Sequence, residues 1–76
     1  MNPEEIRKCV GQNILHLRKE YGLSRKALAK LIYIPEGRLR RVENGDPGAK
    51  LYDFHLKRIA DVFDVSIELL YQARFL

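Results

Sequence analysis

Two short helical patterns separated by a three-residue turn fill the segment between Gly22 and Gly45. Ser24 is a residue type that often caps a helix start, and the apolar residues after it have helical spacing: Ala27, Leu28, Leu31 and Ile32. Pro35 disfavours helical backbone at the residue before it but is tolerated where a helix begins. The sequence therefore predicts a turn at residues 33–35 and a second helix from about Pro35 to Asn44.

The flanking segments also have helical patterns. Upstream, apolar residues recur three or four positions apart and predict a helix from Pro3 to Tyr21 with one buried stripe: Ile6, Val10, Ile14, Leu17 and Tyr21. Downstream, Asp53 suits the cap of a helix that buries Leu56, Ile59, Ala60 and Phe63. Ser66 suits the start of a fifth helix from Ile67 to about Tyr71. We expect residues 1–76 to form one compact all-α domain of five helices without strands.

The basic residues are unevenly distributed along the chain. Residues 24–50 contain seven basic and three acidic side chains, whereas the rest of the chain contains seven of each. The whole net charge of +4 therefore lies in this segment. A surface that faces a polyanion needs such a concentration of charge, although a basic run is often only a solvated face.

Other classes of protein are disfavoured by the composition. The one cysteine, Cys9, allows no intramolecular disulfide and suits a packing position. The histidines, His16 and His55, have no neighbours at metal-ligand spacing, so we expect them at the surface or its boundary. Paired carboxylates, a nucleophile with a base, a membrane-spanning apolar run and a targeting segment are all missing from the sequence. These features predict a cytoplasmic, reduced protein that is not an enzyme and has no cofactor, metal, membrane or small-molecule ligand.

The helix predicted at residues 35–44 is amphipathic with a cationic outer face. At about 100° per residue, its apolar side opposes a side with glycine and arginine: Pro35, Leu39 and Val42 against Gly37, Arg40 and Arg41, with Arg38 on the flank. The DNA major groove admits such a helix, and a guanidinium group donates two hydrogen bonds to guanine O6 and N7. We therefore predict double-stranded DNA as the partner, with Arg41 as the leading base contact. A solvated face with a Glu36–Arg40 ion pair is the alternative.

Most of the chain resembles the phage lambda repressor and Cro-like family, also called Xre-type helix-turn-helix regulators. The resemblance rests on these segments: Leu17 to Ser24, Ala27 to Ala29, Leu39 to Gly45, Ile59-Ala60 and Val65-Ser66. It implies a five-helix lambda-repressor-like domain whose helix-turn-helix, about residues 24–44, binds inverted-repeat operators as a homodimer. It also implies transcriptional regulation without a cofactor or catalysis.

The same resemblance implies roles for individual residues. It places Ser24, Arg25 and Asn44 at DNA phosphates, and it pairs Arg18 with Glu43 in a salt bridge that orients the recognition helix. On that helix we assign Glu36, Gly37, Arg40 and Arg41 to base contacts and Arg38 to a phosphate contact. Tyr33 departs from the glycine usual in the turn and would cost about 1–2 kcal/mol if its backbone is left-handed. Asp46 replaces a lysine that is common after Asn-Gly.

The last residues of the chain, 65–76, are unusually apolar and predict a dimerisation segment. It is too short to bury all of its large side chains against one four-helix core, so we expect a C2 dimer through Leu69, Leu70, Tyr71, Phe75 and Leu76. A second functional hypothesis is a protein-interaction module on the same fold, such as an antitoxin-like or anti-repressor partner. Tyr33, Glu36, Gly37 and the apolar tail favour that alternative.

Overall fold

The computed structural model describes residues 1–73, which form five α-helices and no strands. Their bounds are α1 Pro3–Glu20, α2 Arg25–Leu31, α3 Glu36–Glu43, α4 Asp53–Phe63 and α5 Ile67–Leu70. The all-α architecture predicted from the sequence is confirmed. Helix α3 packs against both α1 and α2, and α5 packs against α1 and α4.

Three of the helices begin at polar side chains that cap their first turns. Asn2 Oδ1 accepts a hydrogen bond from the Glu5 amide at 2.8 Å, and Ser24 Oγ accepts one from the Ala27 amide at 3.0 Å. Ser66 Oγ accepts from the Leu69 amide at 3.3 Å. The prediction of Asp53 as the cap of α4 is wrong, because Tyr52 holds the N-cap position and its amide donates to His55 Nδ1 at 3.1 Å.

The turn between α2 and α3 depends on a left-handed tyrosine. Tyr33 has φ +63°, a conformation that costs a residue with a Cβ about 1–2 kcal/mol. It lets the Ile34 amide donate to the Ala29 carbonyl at 3.1 Å, which closes the end of α2. Arg58 of α4 offsets the cost: its guanidinium carbon lies 4.4 Å from the Tyr33 ring centroid, and its Nη2 donates to Tyr33 Oη at 2.9 Å.

The core lies where the helices meet, and its fully buried side chains come from all five of them: Ile14, Leu28, Leu39, Ile59, Phe63 and Leu70 among others. Three positions assigned to apolar helix faces from the sequence are instead exposed. Leu31 ends α2 and is 43% exposed, with Ala29 buried in its place; Pro35 precedes α3 and faces solvent. Tyr21 lies beyond the last residue of α1 and is 54% exposed. Its ring packs edge-on against Phe63, and its hydroxyl donates to the Phe63 carbonyl at 2.7 Å.

Polar side chains of α1 anchor the chain that follows α5. Asn13 Nδ2 donates to the carbonyls of Leu70 and Gln72 at 2.8 and 2.7 Å, and Cys9 Sγ donates to the Gln72 carbonyl at 2.8 Å. Both side chains are buried. Leu70 lies beneath this anchor with none of its surface exposed, so its prediction as a dimer contact is wrong. The fold uses Leu70 to close its own core.

Candidate nucleic-acid interface

Helix α3 presents its arginines to solvent because its apolar side is held in the core. Leu39 and Val42 are buried, whereas Arg38, Arg40 and Arg41 are exposed. A helix held on one side in this way projects the opposite side as a rigid unit. The cationic face predicted from the sequence is therefore accessible to a large ligand.

A glycine in α1 lets α3 approach closely. A Cβ on Gly11 would collide with the Val42 carbonyl oxygen and lie 3.0 Å from the Glu43 carbonyl oxygen. Any other residue at position 11 would push the end of α3 away from α1. Gly11 is not among the site residues predicted from the sequence, although a glycine within an otherwise good helical pattern is a signal of close backbone packing.

A buried carboxylate ties the end of α3 to two arginines. Arg18 donates to Glu43 through Nε at 2.8 Å and through Nη2 at 3.2 Å, and Arg25 Nε donates to Glu43 Oε1 at 2.9 Å. Arg18 also donates to the Leu23 carbonyl at 3.1 Å. Because the Glu43 side chain is only 1% exposed, it needs these charged partners. The three side chains connect α1, α2 and α3 and thereby orient the exposed face of α3.

Arg38 and Arg40 are free of ion pairs and side-chain hydrogen bonds within residues 1–73. The alternative Glu36–Arg40 ion pair does not form. Arg40 instead lies over Gly37, with Nη2 4.0 Å from the position that a Cβ on Gly37 would occupy. Both guanidinium groups therefore keep their hydrogen-bond donors available at the surface.

His55, expected at the surface or its boundary, is buried at the start of α4. Its Nδ1 accepts a hydrogen bond from the Tyr52 amide, and its ring centroid lies 4.0 Å from that of Phe54. Burial lowers the pKa of the imidazole below its usual value, and the positive charge of Arg38 lowers the pKa further. The burial of His55, a polar residue, could not be predicted from residue spacing alone.

Arg41 is held by an acidic side chain one turn beyond it. Its Nε donates to Asp46 Oδ2 at 2.8 Å, and the pair is half exposed. The hydrogen bond from Arg41, followed by one from the Gly48 amide, lowers the pKa of the Asp46 carboxyl below its usual value. Asp46 stands out in the sequence as a departure from the expected lysine, but its pairing with Arg41 is not predicted there.

A family model for helix-turn-helix proteins matches residues 14–70, about three quarters of the chain. The chain belongs to the helix-turn-helix family. It is of the lambda repressor-like, Xre type, which supports a role as a DNA-binding transcriptional regulator.

A solved structure supports the helix-turn-helix fold. The clp gene regulator ClgR from Corynebacterium glutamicum is similar with a TM-score of 0.77, at 18% identity, over 86% of this chain and 67% of that chain. At that identity the likeness concerns the fold. No curated protein matches the chain in sequence.

The remaining site residues lie at the ends of the helix-turn-helix. Ser24 and Asn44 are exposed at the N-cap of α2 and the C-cap of α3, and Arg25 is 31% exposed while it donates to Glu43. Of the residues assigned to a dimer interface, Leu69 is partly buried and Tyr71 is 40% exposed. Phe75 and Leu76 lie outside the described residues.

Residues 1–73 contain no group of three or more histidine, cysteine, aspartate or glutamate side chains that could hold a metal ion. Every helix in the same range is too short or too polar to span a lipid bilayer.

Proposed function

We propose that this protein is a sequence-specific regulator that binds an inverted-repeat operator as a homodimer, with α3 in the major groove. The observation that carries the proposal is the exposed cationic face of α3, which is backed by buried Leu39 and Val42. A helix presented in this manner fits the width of the major groove. Glu36, Gly37, Arg40 and Arg41 are the proposed base contacts.

Phosphate contacts would fix the register of α3 on the duplex. We assign them to Ser24, Arg25, Arg38 and Asn44, which flank the proposed base-reading positions. The concentration of the net charge of +4 in residues 24–50 supports this assignment, since each neutralised phosphate releases counterions. Binding should accordingly weaken with salt, with a slope near −0.9 in log K per phosphate contact.

Dimerisation is proposed through the exposed side of α5 and the chain beyond it. Ile67 and Tyr71 keep apolar surface in contact with solvent, and Leu69 is only partly covered. Two copies of α3 spaced about 34 Å apart in a C2 dimer would match successive major grooves on one face of a duplex. Phe75 and Leu76 belong to the proposed interface as sequence-based expectations.

Selection of bound duplexes from a random DNA pool tests the proposal. We expect a palindromic consensus whose half-sites are about one helical turn apart. Fluorescence anisotropy with the selected duplex should then show strongly salt-dependent binding. Sedimentation of the complex should give two protein chains per duplex.

A matched pair of variants assigns the reading role. Arg41→Ala should lose about 1–3 kcal/mol of preference for the selected duplex over a scrambled one. Lys19→Ala removes the same charge from an exposed position on α1 and should leave that preference unchanged. Equal losses of preference in both variants would show that α3 does not recognise the base sequence. No consensus, together with no affinity beyond that of a generic cation, would contradict the function and favour the protein-interaction module.

A further inference from the structure

The loop after α3 holds Arg41 through both its backbone and a side chain. Gly45, at φ +74°, turns the chain back so that the Asp46 amide donates to the Arg41 carbonyl at 3.0 Å. The Asp46 side chain then accepts from Arg41 Nε at 2.8 Å. Its other oxygen, Oδ1, accepts from the Gly48 amide at 2.8 Å, which fixes the carboxylate plane. The hydrogen bond from the Gly48 amide therefore helps to orient the Asp46 carboxylate toward the guanidinium group.

The same loop leaves room for the guanidinium group by having no side chain at Gly48. A Cβ at that position would lie 2.8 Å from Arg41 Nη2 and 3.3 Å from Asp46 Oδ1. Contacts below 3.0 Å force one partner to move, and here the partner is the tip of a flexible side chain. In this arrangement Gly48 leaves the space that the guanidinium group occupies, and Asp46 supplies the charge that pairs with it.

Occupation of Nε by Asp46 leaves the end of the guanidinium group for another partner. Arginine has five N–H donors in a fixed planar fork. Within residues 1–73, Arg41 donates a side-chain hydrogen bond to protein only through Nε. Guanine presents two acceptors, O6 and N7, side by side in the major groove, and two terminal N–H groups match them. A side chain already held in one rotamer loses less conformational entropy when it binds.

We propose that Asp46 is a positioning residue that, together with the space at Gly48, holds Arg41 ready to donate to guanine. This inference rests on the proposed function. Asp46 also carries a negative charge that repels phosphate whatever the base sequence. That repulsion weakens binding to every duplex alike, so only the positioning of Arg41 changes the ratio of affinities between duplexes.

The test compares guanine with 7-deazaguanine, which pairs normally but lacks the N7 acceptor. The base replaced is the guanine of the selected duplex for which Arg41→Ala loses its preference. We define discrimination as the ratio of the two dissociation constants. The wild-type chain should prefer guanine by about tenfold, and Asp46→Asn should reduce that ratio by about two- to fivefold. Asp61→Asn removes the same charge from an exposed position on α4 and should leave the ratio unchanged.

Gly48→Ala provides a second test without any change of charge. Its Cβ should displace the guanidinium tip and lower the discrimination at least about twofold, with no change in the salt dependence of binding. Circular dichroism of each variant should match the wild type, since the affected groups are exposed.

The outcomes separate this inference from the function on which it rests. A wild-type chain with no preference among duplexes contradicts the proposed function. A wild-type chain that discriminates, with Asp46→Asn and Gly48→Ala indistinguishable from Asp61→Asn, overturns the positioning role of Asp46 alone. Tighter binding of Asp46→Asn to every duplex at unchanged discrimination also overturns it, because Asp46 would then act only as a repelling charge.

Discussion

Two arginine–carboxylate contacts at the end of α3 have the same Nε to oxygen distance of 2.8 Å but different surroundings. Arg18 and Glu43 are buried, with side chains 9% and 1% exposed, whereas Arg41 and Asp46 are 50% and 37% exposed. By distance alone, the two contacts would be judged equally strong. Burial makes one contact a fixed part of the fold, whereas water weakens the exposed contact and leaves it little effect on stability.

The difference in burial matches a difference in position. Glu43 lies at the junction of α1, α2 and α3, where water is excluded and a charge without a partner would be costly. Asp46 lies in the loop beyond α3, where water competes for both groups. The buried contact therefore sets the direction in which α3 points, and the exposed contact acts on a single side chain of its outer face.

The largest effect should come from breaking the buried contact. Glu43→Gln removes the charge that pairs with Arg18 and Arg25 and leaves a buried guanidinium group without a counterion. We expect a loss of about 3–5 kcal/mol in the free energy of unfolding, measured by urea denaturation. Glu20→Gln, an exposed change at the end of α1, should have almost no effect. A loss below about 1 kcal/mol for Glu43→Gln would show that burial does not distinguish the two contacts.

Removing the exposed arginine should affect binding but not folding. Arg41→Ala should keep the wild-type urea midpoint, because solvated ion pairs add little to stability. Its preference for the selected duplex over a scrambled one should fall by about 1–3 kcal/mol in anisotropy titrations. A lowered urea midpoint with an unchanged preference would reverse the comparison and make Arg41 a structural residue.

Arg25 provides an intermediate case, since its side chain is 31% exposed and shares Glu43 with Arg18. Arg25→Ala should cost about 1 kcal/mol of unfolding free energy, because Arg18 still neutralises the carboxylate. Urea denaturation of Arg25→Ala and Glu43→Gln under the same conditions measures this loss of unfolding free energy. A cost as large as that of Glu43→Gln would show that Arg25, rather than Arg18, is the main partner.

The smallest effect concerns pH and the buried imidazole of His55. Its pKa is lowered in the folded state, so the unfolded chain takes up a proton that the folded chain does not. Stability is therefore complete above the unfolded pKa of about 6.5 and falls as the pH drops below it. Urea midpoints at neutral and mildly acidic pH should show this fall. His55→Gln should flatten the profile, and an identical slope in both proteins would refute the assignment.

Much of the fold was predictable because its signals are local. Ser24 and Ser66 cap helices by bonds that span three residues, and the three- and four-residue spacing of apolar positions marks one face of each helix. The errors occurred at helix ends and in the long-range packing. Leu31 and Tyr21 fall where α2 and α1 stop, and Leu70 is covered by a chain segment that α1 anchors.

The candidate site also contains features that were predictable from the sequence and features that were not. The outward direction of Arg38, Arg40 and Arg41 follows from helical geometry once Leu39 is assigned to the core. The partner of Arg41 could not be found in that way, because the bond to Asp46 requires the backbone reversal at Gly45. The role of Gly11 depends on a backbone approach between two helices that are distant in sequence.

By itself the sequence determined that this chain forms short amphipathic helices around an apolar core and that one of them carries a cationic side. These properties arise from interactions within a few residues, which periodicity and capping residues record. Only the tertiary structure decided which charges are buried, which arginine is held and which apolar side chains remain exposed. Those outcomes depend on the exclusion of water between segments far apart in the chain, and no local pattern contains that information.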